Sequence, residues 1–395
     1  MVKMWAYGTT KSHLEKTLSI PLDQRKPSDG LIRMEVDIPA IDPDEVLIRV
    51  KASALNYNSI WSSLAHPVDP FALNMGFVKK NRACSEHLQD YSIFGSDACG
   101  EIVSIGLDVR NFQVGEDVIV HCNIVDSSDP VTHEDSMLSQ SQSIWGYESN
   151  FGAFAEYTKV KQSQLLHKPT NIDTTDAGSL MLTLSTAYRM LIGKNGARLK
   201  SGETVLIWGA TGGLGAFAIQ LCKNAGCTVV AVVSGEEKQK IAIKLGADYV
   251  VDRKKRLFED LIKDDGTPNL VNWGKAKRSF NRLGIPPIDV VFEHVGRETL
   301  GFSVYILKRG GRVVTCAASS GYNVSLDLRY LWMELKSIIG SHFANNYEAH
   351  SALELIKSGK IKPVVDSVNP IENIKEKIDE MYKGNAIGKI VFTHY

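Results

Sequence analysis

The sequence carries no excess of charge of either sign, because its 395 residues include 45 Lys and Arg against 45 Asp and Glu. A balanced chain lacks the long-range field that attracts nucleic acid or an anionic membrane surface. No apolar run approaches the roughly 18 residues of a membrane span, and the first twenty residues lack the unbroken apolar core of a signal peptide. We therefore expect a cytoplasmic protein with neither nucleic acid nor membrane as a partner.

Paired cysteines are also absent, since the six cysteines form no C-x-x-C motif and no zinc-ribbon spacing. They are Cys84, Cys99, Cys122, Cys222, Cys227 and Cys316. We interpret them as buried or reduced thiols. A structural zinc site of the usual four-cysteine kind is not expected.

What the sequence does contain is a strand, a glycine turn and a helix in the stretch TVLIWGATGGLGAFAIQLC, from Thr204 to Cys222. Glycines let the backbone turn tightly and approach a pyrophosphate, while the start of the following helix supplies free N–H groups. A second apolar run at Thr228–Val233 completes a βαβ unit, which favours a dinucleotide site over an empty turn. The predicted cofactor-binding residues of this loop are Gly209, Thr211, Gly212, Gly213 and Leu214.

The end of the second strand favours NADPH over NADH. An NAD enzyme usually has an acidic residue there for the ribose 2′-hydroxyl, whereas this chain has Ser234. Glu236 and Glu237 follow closely, but Ser234-Gly-Glu-Glu237 fits a capping box with Ser234 as N-cap. We predict that Ser234 and Lys238 lie at the 2′-phosphate, although a lysine in a first helical turn is also typical of a solvated surface.

The order of predicted elements indicates an α/β protein with two domains. Short β-like runs separated by turns fill about the first 160 residues and are typical of a compact barrel. A helix is predicted from Asp173 to about Lys194, and strands then alternate with helices through SIIGSHFA (337–344), which predicts a parallel, doubly wound sheet. Insertions at 66–91 and 126–143 are expected to be loops or lids near a site. A charged insertion at 253–283 is expected at an oligomer contact or a ligand edge.

The A-T-G-G-L-G form of the glycine loop, residues 210–215, resembles the zinc-free enzymes of the medium-chain dehydrogenase/reductase superfamily. The resemblance implies a GroES-like β-barrel catalytic domain at 1–178, completed by 345–395, and a Rossmann NADPH-binding domain at 179–344, with an active cleft between them. Zinc alcohol dehydrogenases share this plan. Where they have a Gly-His-Glu ligand motif, this chain has Gly95-Ser96-Asp97. We therefore expect no catalytic zinc and no metal.

A narrower resemblance, to the crotonyl-CoA carboxylase/reductase family, covers nearly the whole chain. The four stretches that carry it are ALNYNSIW (54–61), SIWGYESNFGAFAE (143–156), FEHVGRET (292–299) and DLRYLWMELKSIIGSHFANN (327–346). It implies that hydride from NADPH adds to the β-carbon of a 2-enoyl-CoA and that the enolate α-carbon then attacks CO2, giving an alkylmalonyl-CoA, a polyketide extender unit. It also implies a homo-oligomer, a tetramer, and places His294 of the third stretch at the cofactor.

The same resemblance implies a CO2 pocket at Asn58, Tyr147, Glu148 and His342. Asn58 is expected to donate its amide to a CO2 oxygen, and Glu148 and His342 to anchor an ordered water. The ring at position 147 is expected to shield the enolate from protonation. Developing negative charge calls for fixed donors in a dry pocket, which suits these residue types. Structural roles stay open: a turn asparagine, a loop-capping glutamate and a core histidine.

Two residues depart from the family pattern, since Tyr147 replaces the usual phenylalanine and Val295 replaces a proline. The Tyr147 hydroxyl either donates to CO2 or protonates the enolate, and the second role would turn the enzyme toward plain reduction. A non-carboxylating enoyl-thioester reductase is therefore the main alternative, followed by a quinone oxidoreductase and a non-catalytic NADPH-binding protein. For CoA, the resemblance implies Arg329 for phosphate and Tyr330 beside the adenine; a solvated arginine and a half-buried tyrosine are the structural alternatives.

Overall fold

The computed structural model describes residues 2–254, 258 and 260–394, except for the side chains of residues 82 and 83. The chain forms two compact units. The first unit contains residues up to Leu182, Asn345–Gly359, and the chain from Pro363 onward. The second contains Thr183–Ala344 and Lys360–Lys362.

The strands in the described residues follow in chain order. They are β1 (Lys3–Thr10), β2 (Ile32–Asp37), β3 (Glu45–Ala54), β4 (Tyr91–Ile93), β5 (Ala98–Ile105), β6 (Asp117–Val120), β7 (Asn123–Ile124), β8 (Ser143–Ile144), β9 (Tyr157–Lys161), β10 (Leu165–His167), β11 (Thr204–Ile207), β12 (Thr228–Val233), β13 (Tyr249–Asp252), β14 (Ile288–Glu293), β15 (Leu307–Thr315), β16 (Ser337–Gly340), β17 (Val365–Pro370) and β18 (Lys389–Thr393). The α-helices are α1 (Lys11–Leu18), α2 (Tyr57–Leu64), α3 (Pro70–Lys80), α4 (Thr132–Asp135), α5 (Thr174–Ala177), α6 (Met181–Leu191), α7 (Gly213–Asn224), α8 (Glu236–Lys244), α9 (Leu270–Arg282), α10 (Leu300–Ile306), α11 (Arg329–Trp332), α12 (Asn346–Lys357) and α13 (Ile374–Tyr382).

The first unit is organised around β3. Its main sheet has the order β10-β6-β5-β3-β18-β17, and β9 also pairs with β3. The last strand of the chain returns to this sheet, because Val391 of β18 lies opposite Ala54 at the end of β3. A smaller sheet of order β2-β1-β4 lies in the same unit. These short strands form the predicted GroES-like barrel, which confirms that part of the fold class.

The second unit contains one parallel sheet of order β13-β12-β11-β14-β15-β16. All residues of β11 and β14 are buried, as expected for central strands covered by helices on both faces. In such a sheet the carboxyl ends of the strands form the ligand-binding edge. Ser234, His294 and His342 each follow a strand at this edge. The predicted Rossmann fold is confirmed.

The insertions differ from the sequence expectation. The first one contains α3, which begins at Pro70 because the Asp69 side chain caps the helix by accepting the Ala72 N–H. The 253–283 segment is not confined to an edge: its helix α9 places Trp273, 1% exposed, and Phe280 in the core of the second unit. Within that segment, residues 255–257 and 259 lie outside the described residues.

Two predicted elements are shorter than expected. The helix predicted from Asp173 to Lys194 is two helices, α5 and α6. They are separated at Gly178, where a Cβ would lie 2.8 Å from the Cβ of Ala52 in β3. The strand predicted at 337–344 ends at Gly340, so His342 lies beyond the strand rather than on it. None of the helices in the described part of the chain is long and apolar enough to cross a membrane.

Candidate active site

The glycine loop ends at the first turn of α7. Gly212 is the N-cap residue and makes no side-chain capping bond, and the first turn contains no acidic residue. The N–H groups of a first helical turn have no acceptor within the helix, and the helix dipole favours an anion there. A Cβ on Gly212 would have Gly209 O, at 3.5 Å, as its nearest neighbour. The loop therefore has open space and free donors, as a pyrophosphate requires.

The other glycines of the loop are constrained by packing. Gly209 has φ of +53°, and a Cβ on it would lie 2.9 Å from His294 Cε1. A Cβ on Gly215 would lie 2.3 Å from Gly209 O. Thr211 is buried, whereas Gly213 and Leu214 are half-buried. Packing within the protein therefore restricts Gly209 and Gly215 to glycine, whereas Gly212 has open space beside it.

His294 lies against the glycine loop. Its Nε2 is 2.9 Å from the carbonyl oxygen of Trp208, so the neutral ring carries its proton on Nε2. Burial lowers the pKa of His294, which favours this neutral form. The loop after it is held by Glu293, whose carboxylate accepts the Val295 N–H and the Thr299 and Ser303 hydroxyls. Glu293 is fully buried, and burial raises its pKa.

The end of β12 corrects one expectation. The N-cap of α8 is Gly235, with φ of +91°, and not Ser234, so the predicted capping box does not form. The turn is held instead by Asp252 at the end of β13, whose carboxylate accepts the Gly235 N–H and the Gln239 side chain. The Ser234 hydroxyl is therefore not used as a cap. Lys238 lies in the first turn of α8 and is half-buried.

In the first unit, Asn58 lies in the first turn of α2 and is buried. Its Nδ2 donates to Ser96 Oγ over 2.9 Å. Asn58 and Trp61 are three residues apart, so they share one face of the helix. The Trp61 ring lies 6.2 Å from the ring of Tyr147, centroid to centroid. The helix thereby brings the asparagine near the loop that carries Tyr147.

The loop at 146–152, which carries Tyr147, packs against Gly95. A Cβ on Gly146 would lie 1.9 Å from Gly95 O, and the Ala153 N–H donates to Gly95 O over 2.9 Å. Gly95 precedes Ser96, so the loop and Asn58 converge there. Glu148 is half-buried, and its Oε2 accepts the Ile144 N–H over 2.8 Å. One oxygen of Glu148 therefore has the loop-capping role, which leaves the other for a ligand.

The position of the zinc-ligand motif is occupied by an ion pair. Asp97 is 3.0 Å from Lys389 Nζ, and its carboxylate also accepts from the Asn56 amide and the Leu182 N–H. A carboxylate bound to an ammonium group does not fit a zinc ion. Elsewhere in residues that the structure describes, Asp42, Glu45 and Glu86 form a group with metal-ligand spacing, but Glu45 and Glu86 both bind Lys159.

The remaining predicted residues lie in the second unit. His342 is exposed, so it does not have the alternative structural role of a buried core histidine. The next residue, Phe343, is buried with φ of +48°. Arg329 is exposed and binds Asp327 through two guanidinium nitrogens. Tyr330 is half-buried and meets Tyr305 edge to face at 4.8 Å. The structure thus gives Arg329 and Tyr330 local partners, and their CoA roles stay predictions.

Sequence reasoning missed the residues that hold the site together. Lys389 and Asn56 were not recognised, and Asp97 was considered only as a lost zinc ligand. A usable signal existed for Lys389, because a lysine at the start of the otherwise apolar strand KIVFT needs a buried acceptor. Glu293 had the same signal, since it ends the apolar strand IDVVFE.

Known proteins share this architecture. Residues 42–170 match the alcohol dehydrogenase GroES-like domain family, and residues 213–358 match the zinc-binding dehydrogenase family. A crotonyl-CoA reductase of Streptomyces collinus is 40% identical over 96% of this chain and 85% of its own length. A crotonyl-CoA carboxylase/reductase of Cereibacter sphaeroides is 39% identical over 90% of this chain and 81% of its own.

A solved structure extends the match. The complex of a 2-octenoyl-CoA carboxylase reductase with NADP and 2-octenoyl-CoA has a TM-score of 0.93 and 38% identity, covering 99% of this chain and 87% of that one. The family suggested by four short motifs thus matches in both sequence and fold. The chain belongs to the crotonyl-CoA carboxylase/reductase family of the medium-chain dehydrogenase/reductase superfamily.

Proposed function

We propose that the chain catalyses the NADPH-dependent reductive carboxylation of a 2-enoyl-CoA to an alkylmalonyl-CoA. The observation that carries this proposal is the convergence of α2 and the 146–152 loop at Gly95 and Ser96. This arrangement places an amide donor at Asn58 and an aromatic ring at Tyr147 in one small region of the first unit. Family membership supports the same reaction.

The cofactor is NADPH, which when bound supplies the hydride for the β-carbon of the substrate. The first turn of α7 holds the pyrophosphate, and Gly212 leaves room for it. Ser234 and Lys238 bind the 2′-phosphate. Neutral His294, which contacts Gly209, fixes the loop beside the cofactor without adding a charge.

Reduction of the β-carbon leaves an enolate. The residues around it determine whether its α-carbon reacts with CO2 or with a proton donor. An amide nitrogen has two N–H groups, so the bond from Asn58 to Ser96 leaves one to hold a CO2 oxygen. The Glu148 oxygen that does not bind Ile144 N–H is the proposed anchor, in the first unit, for an ordered water at the other CO2 oxygen. The α-carbon then bonds to the CO2 carbon, and the new carboxylate takes the charge, so no proton is needed.

Tyr147 favours a second candidate, a non-carboxylating enoyl-CoA reductase. Its ring packs near Trp61, where it shields the enolate. Its hydroxyl is also an acid, and transfer of that proton to the α-carbon would release a saturated acyl-CoA before CO2 arrives. The two outcomes differ only in whether a proton or CO2 reaches the α-carbon first.

We further propose a homo-oligomer, a tetramer, built in part on the edge strand β16. An edge strand offers unpaired backbone groups to a second chain. Large apolar side chains are exposed on and before this strand at Trp332, Met333, Leu335 and Ile338. Arg329 and Tyr330 bind CoA in the proposal, and the cytoplasmic location stays a prediction. Light scattering of the purified protein, compared with an Ile338→Lys variant, tests the assembly.

The reaction itself is tested by following NADPH oxidation with crotonyl-CoA and 2-octenoyl-CoA, with and without bicarbonate and carbonic anhydrase. We expect turnover of enoyl-CoA substrates, a preference for NADPH over NADH, and faster oxidation when CO2 is supplied. Turnover of quinones but not of enoyl-CoA thioesters would contradict the proposal. Tight NADPH binding without turnover of any substrate would identify a binding protein instead.

A further inference from the structure

The buried ion pair between Lys389 and Asp97 has no part in the chemistry described above. The two residues are 4% and 1% exposed. Lys389 Nζ donates to three acceptors: Leu55 O at 2.7 Å, Asn56 Oδ1 at 2.5 Å and Asp97 Oδ2 at 3.0 Å. A neutral amine has only two N–H groups, so three acceptors fit the charged ammonium form.

Asn56 joins the two charges. Its Oδ1 accepts from Lys389, and its Nδ2 donates to Asp97 over 2.8 Å. Asn56 is also the N-cap of α2, yet its side chain makes no capping bond. An asparagine at this position normally stabilises its helix by accepting a backbone N–H of the first turn. The Asn56 amide does not cap α2 because it hydrogen-bonds to both members of the ion pair. It thereby links the start of α2 to that pair.

The hydrogen bonds at the start of α2 also include Asn58, through Ser96. Ser96 precedes Asp97 in the chain and accepts from the Asn58 amide. Ser96 and Asp97, which directly precede β5, thus hydrogen-bond to two asparagines at the start of α2.

We propose that Lys389 and Asp97 form a positioning pair that fixes the Asn58 amide for CO2 capture. This inference rests on the proposed function. The lysine comes from β18, whose neighbour in the sheet is β3, so the last strand of the chain fixes the orientation of a donor on α2. The pair acts through Asn58 and touches no reacting atom.

The test removes both charges together, because removing one partner of a buried pair leaves an unpaired buried charge that strongly destabilises the fold. In Asp97→Asn/Lys389→Met, the side chain at position 97 keeps an oxygen for the Leu182 N–H. We expect the ratio of carboxylated to reduced product to fall about tenfold, which is ~1.4 kcal/mol, and the KM for CO2 to rise. The Kd for NADPH is expected to stay within about twofold.

A control pair is available in the second unit. Arg312 and Glu203 are joined by two hydrogen bonds of 2.9 and 2.7 Å, and both side chains are largely buried. Glu203 precedes β11, so the pair lies away from the carboxyl ends of the strands. Glu203→Gln/Arg312→Met is expected to leave the product ratio unchanged. Asn56→Ala is a second variant, because it keeps both charges and removes only their link to α2.

Action through Asn58 is measured in the Asn58→Ala background. If the pair only positions Asn58, removing it there changes the product ratio no further. The positioning role would be overturned if removal of the pair lowered the product ratio further in the Asn58→Ala background. It would also be overturned if Asp97→Asn/Lys389→Met and Asn56→Ala both left the ratio unchanged while Asn58→Ala alone shifted it. Either result would leave the proposed function intact. An Asn58→Ala variant with a wild-type ratio would remove the role of Asn58 as well. Saturated product alone from the wild type would refute carboxylation itself.

Discussion

The amide nitrogen of Asn58 lies 2.9 Å from the hydroxyl oxygen of Ser96, and both side chains are buried. This bond uses one N–H of the amide and sets the direction of the other. That direction determines whether Asn58 can bind CO2, because the second N–H is the proposed donor.

Replacement of Asn58 by leucine removes the donor. We expect the ratio of carboxylated to reduced product to fall at least about tenfold, because an unmade hydrogen bond costs about 1–3 kcal/mol. NADPH oxidation should fall less. Product analysis by mass spectrometry gives the ratio. Asn74→Leu is the control, since Asn74 is also buried and donates to a serine, Ser92, over 3.2 Å; an equal shift in both variants would assign Asn58 to the scaffold.

Replacement of Tyr147 by phenylalanine removes an acid and keeps the ring beside Trp61. We expect the carboxylated fraction to rise, because the enolate loses a proton donor. The same measurement on Tyr57→Phe provides the comparison, as Tyr57 contacts the Trp61 ring at 5.5 Å. A lower carboxylated fraction in Tyr147→Phe would show that the hydroxyl donates to CO2.

Gly212→Val is expected to weaken NADPH binding about 100-fold, ~2.7 kcal/mol, by filling the space for the pyrophosphate. The fold should tolerate the change, since a Cβ there approaches nothing closer than 3.5 Å. Gly215→Ala should instead lower the melting temperature, because its Cβ would lie 2.3 Å from Gly209 O. Calorimetric titration with NADPH and thermal unfolding separate the two effects. Unchanged affinity in Gly212→Val would disprove the loop assignment.

His394 makes the stability of the protein depend on pH. Burial lowers its pKa to about 3, below the value of about 6.5 in the unfolded chain. Its contribution is therefore present above pH 6.5 and is lost as the pH falls toward 3. Between pH 7 and pH 5 this one group should lower the free energy of unfolding by about 2 kcal/mol. Urea unfolding of His394→Gln at both values should show a smaller decrease than the wild type; an equal decrease would contradict the assignment.

Trp273 tests the role of the 253–283 segment. Trp273→Ala should lower the free energy of unfolding by about 3–5 kcal/mol, because the side chain fills the core of the second unit. Val271 lies on the same helix and is 68% exposed, so Val271→Ala should change stability by less than about 0.5 kcal/mol. Denaturant unfolding of both variants decides the point. Similar small effects in both variants would contradict a contribution of α9 to the core of the second unit.

Local patterns predicted the fold well where the periodicity was strong. The glycine loop, the strands around it and the parallel sheet agree with expectation, because apolar runs and glycine turns encode them directly. The N-cap at Gly235 was missed since Ser234 and Gly235 both suit a helix start, and the choice is made by Asp252, a residue 17 positions away. The composition of the 253–283 segment also gave no sign of its core contribution, because its charges conceal three buried residues on one face of α9.

Only some of the site residues could be predicted from the sequence, for a similar reason. Residues within motifs could be named, and their roles at the site stay predictions. The residues that support them could not, because they belong to distant parts of the chain: Lys389 binds Asp97 across 292 positions. A single sequence contains no signal for such a pairing beyond a charged residue on an apolar strand.

The most direct test is the mass of the product formed from crotonyl-CoA and NADPH in saturating 13C-labelled bicarbonate with carbonic anhydrase. We expect mainly an alkylmalonyl-CoA that carries one 13C atom, with one NADPH oxidised for each molecule formed. A product that is only the saturated acyl-CoA, without the label, would contradict carboxylation and leave an enoyl-CoA reductase.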